Sequence, residues 1–210
     1  MFKHIKNILI LMIATVLLAS IFIGPELVTE YLPRLIFKRN FAEIIPGEFY
    51  RSGQMSHQRL ARTITSNKIR TVLDLRYGED DPEADGKREK DIVAELGGKY
   101  LHFPLRASRR PEQKTIQELI QILDTLESPV LVHCSDGAHR TSVVSAIWML
   151  TQAHEDLSLA LEQMSPRYGF VKAERQFAEF LNGYPTIDDL IWDYQQETNG
   201  QMPFREWVAK

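Results

Sequence analysis

Val130 to Ser142 reads VLVHCSDGAHRTS. The apolar run Pro129 to His133 has the composition of a buried strand, and the residues from Thr141 onward follow helical spacing. Between them lies a seven-residue loop, Cys134 to Arg140. A loop of this length that bends back over a helix N-terminus aims backbone N–H groups inward and makes a concave site for a tetrahedral dianion. Phosphate fits that description. The same field favours the thiolate of Cys134, because cysteines at helix N-termini can ionise at a pKa of about 3.5 to 7.5. Arg140 can fork two hydrogen bonds onto phosphoryl oxygens, and Gly137 supplies the backbone freedom for a tight cradle. The phosphate-binding residues are therefore expected to be Ser135, Asp136, Gly137, Ala138, His139 and Arg140.

Working outward from this strand–loop–helix unit, the flanking sequence alternates. Short strands are predicted at Phe41–Ile45 and Phe49–Arg51 around the Pro46-Gly47 turn, at Arg70–Arg76, and at Lys99–Leu105. Helices are predicted at Ser56–Asn67, at Asp85–Leu96 closed by Gly97-Gly98, at Glu112–Leu126, Thr141–Gln152, Asp156–Met164, Ala173–Leu181, and near the C-terminus. Strands interleaved with helices imply an α/β fold, a central mostly parallel sheet flanked by helices, with the ligand site beyond the carboxyl ends of the central strands.

At 210 residues, 44% hydrophobic and 25% charged, the chain has the balance of one folded domain. Its 25 basic and 28 acidic residues give a net charge of -3, which supplies no basic field for nucleic acid. A single cysteine, Cys134, excludes an internal disulfide framework and any Cys-rich metal site. No metal and no cofactor are expected.

The first residues differ from the rest. Ile8 to Ile23 reads ILILMIATVLLASIFI, uncharged, with Thr15 and Ser20 as its polar members. As a helix it would span roughly 24 Å, enough for a membrane anchor when its flanks and a snorkelling Lys6 are added. An uncleaved transmembrane helix is expected over a cleaved signal, since Ala19, Ser20 and Gly24 do not form an A-x-A-like site. Lys3 and Lys6 precede the run, so the folded domain is expected on the extracytoplasmic side, the periplasm in a bacterium. The organisation expected is an anchor at 1–24, a juxtamembrane connector at 25–43, a catalytic domain at 44–183 and a helical extension at 184–210.

His133-Cys134-x5-Arg140-Thr141 resembles the signature of the cysteine-dependent protein tyrosine and dual-specificity phosphatases. The similarity extends to Phe49-Tyr50-Arg51-Ser52-Gly53-Gln54, to Thr71-Val72-Leu73-Asp74-Leu75-Arg76 and to Tyr100–Leu105. These segments are similar to the bacterial branch of the family and to the plant and fungal atypical dual-specificity phosphatases. The resemblance implies that Cys134 attacks phosphorus and forms a phosphocysteine, that Arg140 binds the phosphoryl group, and that Thr141 hydrogen-bonds the sulfur. It implies that His133 supports the loop by hydrogen bonding.

The sequence departs from the family at the proton donor. Family members usually carry an Asp in the loop before the long helix, whereas here Arg106-Ala107-Ser108-Arg109-Arg110-Pro111 has no carboxylate until Glu112. Asp136 is the first choice because the loop itself fixes it near the site, and Ser135-Asp136-Gly137 is similar to the loop of the myotubularin lipid phosphatases. His139, which matches the plant and fungal branch, and the acidic stretch Glu79-Asp80-Asp81 are the alternatives. Arg106, Arg109 and Arg110 either form a solvated basic turn or favour substrates carrying several phosphates or lipid headgroups. Arg76 could face the same pocket, while Tyr50 and Trp148 read as core. The expected activity is phosphomonoester hydrolysis on phosphoprotein, on a phospholipid or on an inositol phosphate; an inactive phosphate-binding module is the rival reading.

Overall fold

The computed structural model describes residues 39–77, 88–170 and 185–210. Five strands form one sheet: β1 (Ala42–Ile45), β2 (Phe49–Gly53), β3 (Thr71–Asp74), β4 (Lys99–His102) and β5 (Val130–Cys134), in the order β1-β2-β5-β3-β4. β2, β3, β4 and β5 run parallel, and β1 pairs antiparallel with β2 at the edge. Seven helices are described: α1 (His57–Asn67), α2 (Glu89–Glu95), α3 (Gln113–Leu123), α4 (His139–Thr151), α5 (Leu157–Glu162), α6 (Asp189–Thr198) and α7 (Phe204–Val208). The mixed α/β sheet flanked by helices is the architecture that the alternation implied.

Side chains alternate across β5, so each face of the sheet has its own core. Val130, Val132 and Cys134 join the larger one with α3, α4 and the C-terminal helices, while Leu131 lies in the smaller one with Leu60 and Ile64 of α1 and Val93 of α2. α4 is buried without a break from Thr141 to Met149, and Trp148 stacks on Phe49 with ring centroids 4.4 Å apart. Ser142 and Ser145 are buried along it as well.

Several boundaries differ from expectation. β4 stops at His102 rather than Leu105, although Phe103 and Leu105 still donate N–H bonds to Asp74 and Leu75; Pro104 between them has no N–H to give. α3 ends at Leu123, three residues before Leu126. The C-terminal segment is no appendage, because Ile187, Leu190, Ile191, Tyr194, Phe204 and Val208 belong to the same core as Val132 and Ile116. The connector likewise reaches into the fold: β1 begins at Ala42 and Asn40 is buried.

The apolar run 8–23, the acidic stretch Glu79-Asp80-Asp81 and the helix expected at Ala173–Leu181 lie outside the described residues, as does the expected start of α2 at Asp85. Among the described residues no helix is long and apolar enough to cross a membrane.

Candidate active site

The loop from Cys134 to Arg140 joins the carboxyl end of the central strand to the first turn of α4, where the sequence located it. Its shape follows from where its carbonyls go. The Ser135 carbonyl accepts the Gln54 N–H at 2.9 Å. The Gly137 carbonyl accepts two donors, Arg51 Nη2 at 2.7 Å and Asn40 Nδ2 at 2.8 Å. With the Ser135 and Gly137 carbonyls held outward, the N–H groups of Asp136 and Ala138, which share their peptide planes, turn the opposite way, and the Gly137 N–H points to Cys134 Sγ at 3.3 Å.

Gly137 has a left-handed φ of 72° and packs against a second glycine. A Cβ there would lie 2.5 Å from the Gly53 nitrogen, and a Cβ on Gly53 would lie 2.8 Å from the Asp136 carbonyl carbon. The loop thus rests on backbone, with no side chain between it and β2.

Arg51 lies under this arrangement with no exposed surface. Besides Gly137 it donates to Ser142 Oγ at 2.8 Å and to the Gln163 carbonyl and Oε1 at 3.0 and 3.1 Å, and its guanidinium lies 4.0 Å from the Tyr168 ring centroid. Asn40 also donates to the Tyr168 carbonyl at 2.6 Å. Arg51 and Asn40 were not singled out from sequence. Arg51 sits in the Tyr50-Arg51-Ser52-Gly53 segment that carries the family resemblance, and a charged residue on a central strand was the signal available.

Arg140 stands half-buried at the mouth, where its Nη2 donates to Ser135 Oγ at 3.0 Å and its Nη1 lies 3.5 Å from the Leu105 carbonyl. The guanidinium is thereby spread across the loop rather than left to solvent. Asp136 is exposed on the rim and has no hydrogen-bond partner among the described residues. Thr141 is fully buried, and its hydroxyl donates to the Ser52 carbonyl at 3.4 Å instead of the sulfur. Ala138 leads into the helix, and its carbonyl accepts the Ser142 N–H at 3.3 Å.

His139 opens α4 and makes a hydrogen bond of 2.7 Å between its Nδ1 and Asp188 Oδ2. Asp188 precedes α6 and its other oxygen is buried with no partner among the described residues. The hydrogen bond to Asp188 keeps the His139 imidazolium protonated to higher pH than an ordinary histidine; burial and the charge of Arg140 oppose this, and the charges of Asp188 and Asp136 add to it. The ring packs against Phe170 at 5.2 Å.

His133 does not bond the loop. Its side chain is buried on the opposite face of β5, with Nε2 3.2 Å from Glu89 Oε1 and 3.9 Å from Asp74 Oδ1. Alternation along the strand dictates this, since neighbours on a strand face opposite sides. Arg76, considered for the phosphate pocket, belongs to this second cluster. Its guanidinium donates to both Asp74 oxygens and to Glu89 Oε2, the closest contacts being 2.6 Å. Burial alone would raise the Asp74 pKa; hydrogen bonds from Arg76 and Tyr100 and the charges of His133 and Arg76 outweigh it and hold the carboxyl well below the usual range. Asp74, Glu89 and His133 bring donor atoms within 4.8 Å of one another, as a cation site would, but the Arg76 guanidinium already bridges the two carboxylates.

The loop expected to carry an acid is pinned from behind. Arg110 N–H donates to the Pro185 carbonyl at 2.7 Å and Ile187 N–H to the Ala107 carbonyl at 3.3 Å. The Arg110 guanidinium pairs with Asp193 of α6, and Arg106 lies over the Tyr77 ring, 4.1 Å from its centroid, and bonds the Tyr77 hydroxyl. Arg106 and Arg110 thus have protein partners. Glu112 is exposed at the start of α3.

The family model described as "DSP-PTPase phosphatase fused to NAD+ Kinase" matches residues 41–179. Inositol diphosphatase DSP2 of Oryza sativa subsp. japonica is 31% identical over 128 residues, covering 56% of this chain, and the chain spans 59% of that relative's length. Among solved structures, the core catalytic domain of the PP-IP phosphatase SIW14 of S. cerevisiae is 22% identical with a TM-score of 0.51; the match covers 78% of this chain and 95% of that one. TpbA of P. aeruginosa is 21% identical with a TM-score of 0.50, covering 74% of this chain and 91% of that one. These structural likenesses establish a shared fold. With a family model that spans residues 41–179, the Cys134–Arg140 loop included, the chain belongs to the DSP-PTPase family of cysteine-dependent phosphatases.

Proposed function

We propose that this protein hydrolyses phosphate esters through a phosphocysteine formed on Cys134. The observation that carries this reading is the Gly137 N–H aimed at the Cys134 sulfur inside a loop whose carbonyls are drawn away from it. Such a loop supplies preorganised donors to the equatorial oxygens of a phosphoryl group, and Arg140 adds a two-pronged contact. The Cys134 thiolate attacks phosphorus, the bond to the ester oxygen breaks as that oxygen takes a proton, and water then releases inorganic phosphate and regenerates the thiolate. In this reading Thr141 turns its hydroxyl from Ser52 toward the departing sulfur. The proton donor lies on the loop itself, at Asp136 or His139.

Cys134→Ser should abolish turnover while retaining substrate binding, because a hydroxyl is far less ionised at nearly the same size. Arg140→Lys should lose most activity, since a point charge does not replace the fork. Turnover near wild type in Cys134→Ser would overturn the covalent mechanism.

Phosphotyrosine or dual-specificity protein substrates are the first reading. A specific observation favours a second, an inositol diphosphate: Arg106 to Pro111 lacks a carboxylate, and the rice relative is an inositol diphosphatase. A phosphate leaving group has a pKa of about 6, against about 10 for a tyrosine phenol, so cleaving an anhydride asks less of a proton donor. A panel of phosphopeptides, phosphoinositides, inositol phosphates and inositol diphosphates, compared by kcat/KM, separates the two. The run 8–23 anchors the enzyme in a membrane with its catalytic domain outside the cytoplasm, a topology tested by reporter fusions after Asn40.

A further inference from the structure

The proton donor can be named from what fixes each of the two loop groups. Asp136 is exposed, and no hydrogen bond among the described residues orients its carboxyl. His139 is held on three sides: its backbone begins α4 directly before Arg140, its ring packs on Phe170, and its Nδ1 is 2.7 Å from Asp188 Oδ2. The side chain is still 41% exposed, so the ring keeps an open side, and Nε2 makes no hydrogen bond among the described residues. An imidazole bonded through one nitrogen to a half-buried carboxylate and open at the other is the arrangement that moves protons at neutral pH.

We propose that His139, oriented by Asp188, protonates the leaving oxygen. This rests on the phosphocysteine reading above and assigns its acid. As Cys134 Sγ bonds to phosphorus and the phosphorus–oxygen bond breaks, the proton on His139 Nε2 passes to the departing oxygen, leaving an alcohol and a neutral imidazole. In the second half the attacking water gives its proton back to Nε2 as its oxygen bonds to phosphorus and the sulfur leaves. Asp188 is a positioning residue: its charge stabilises the imidazolium and its Oδ2 fixes which nitrogen is free. The charged groups acting on the ring are Asp188 before α6, Asp136 on the loop and Arg140 on the same helix, and the hydrogen bond to Asp188 is the largest influence.

The test is a series of aryl phosphates with leaving phenols of rising pKa, measured as kcat/KM, which reports steps through loss of the phenol. His139→Asn keeps an amide donor toward Asp188 and removes the transferable proton. Wild type should show a shallow dependence on phenol pKa and His139→Asn a steep one, with a loss of about 10²-fold or more for phenol that vanishes for dinitrophenol. Normal turnover of the dinitrophenyl ester also certifies that the variant is folded. Asp136→Asn should lower all members by one common factor. Asp188→Asn should move the descending limb of the kcat/KM pH profile to lower pH, a readout that a purely structural role would not move. Equal slopes for His139→Asn and wild type, a steep slope in Asp136→Asn instead, or an unmoved limb in Asp188→Asn would overturn the assignment. Rapid quench keeps the two levels apart: absence of phosphocysteine in wild type defeats the underlying reading, whereas its presence with equal slopes defeats the role of His139 alone.

Discussion

Replacing Arg51 by Met leaves the apolar stem in place and removes the planar fork that draws the Gly137 carbonyl outward. The bonds lost include those to the Gly137 carbonyl, to Ser142 Oγ, and to the carbonyl and Oε1 of Gln163. Bonds from a charged donor contribute about 1.5–3 kcal/mol each, but removing a fully buried guanidinium also removes its desolvation cost. Gly137 retains Asn40, and the Gln163 amide and Ser142 hydroxyl can pair with other groups. The net destabilisation should be about 3 kcal/mol, which for a domain of this size lowers Tm by roughly 6–12 °C. A second effect is independent of stability. With one of its two outward contacts gone, the Gly137–Ala138 peptide can tilt, the Ala138 N–H that shares its plane no longer points squarely at the site, and loss of one preorganised donor costs about 10²–10³ in rate. Calorimetry gives the first quantity, and kcat/KM for an aryl phosphate, measured where both proteins are folded, gives the second. Arg51→Lys should fall between, because an ammonium cannot span Gly137 and Gln163 together. A variant with wild-type Tm and wild-type kcat/KM would refute the idea that Arg51 aims the loop.

Gly137→Ala should be worse on activity than on fold: the left-handed φ costs about 1–2 kcal/mol and the contact with Gly53 adds about 1–3, and the relief comes from displacing the loop. Its kcat/KM should fall at least as far as that of Arg51→Met, and an active Gly137→Ala would contradict the backbone contact. For acid stability, Asp74 is held below the ordinary carboxylate range, so its contribution is full above about pH 4 and is lost as pH falls further. Asp74→Asn should therefore be less stable than wild type by about 3 kcal/mol at neutral pH, with the gap narrowing on acidification in urea melts; parallel pH curves would be the contrary result.

Local chemistry was legible in the sequence and long-range chemistry was not. Cys134 and Arg140 lie six positions apart on one loop, so strand, loop and helix could be read together and the site assigned to the carboxyl end of the sheet. Asn40 and Arg51 act on Gly137 across 97 and 86 positions, and Asp188 reaches His139 across 49. No periodicity encodes such pairs, and Asn40 in its left-handed conformation reads as an ordinary turn residue. For Arg106, Arg109 and Arg110 the choice between a solvated turn and a phosphate-facing cluster stayed open in the sequence, because Asp193 and Tyr77, the partners of Arg110 and Arg106, are distant along the chain. The family resemblance implied that His133 supports the loop, whereas strand alternation sends it to Glu89 on the other face.

β5 is hydrogen-bonded along both edges, to β2 and to β3, and Cys134 is its last residue. Fraying starts at edges and ends, so in this sheet β1 and β4 open first and β5 last. The amides of Leu131 to His133 should then exchange with deuterium only as fast as the whole domain unfolds. For the thiol, partial openings of the sheet offer no route to reagents. Its encounters are set by the loop mouth alone, which means that an alkylating agent or oxidant is selected by its size and charge and not by the breathing of the protein around it.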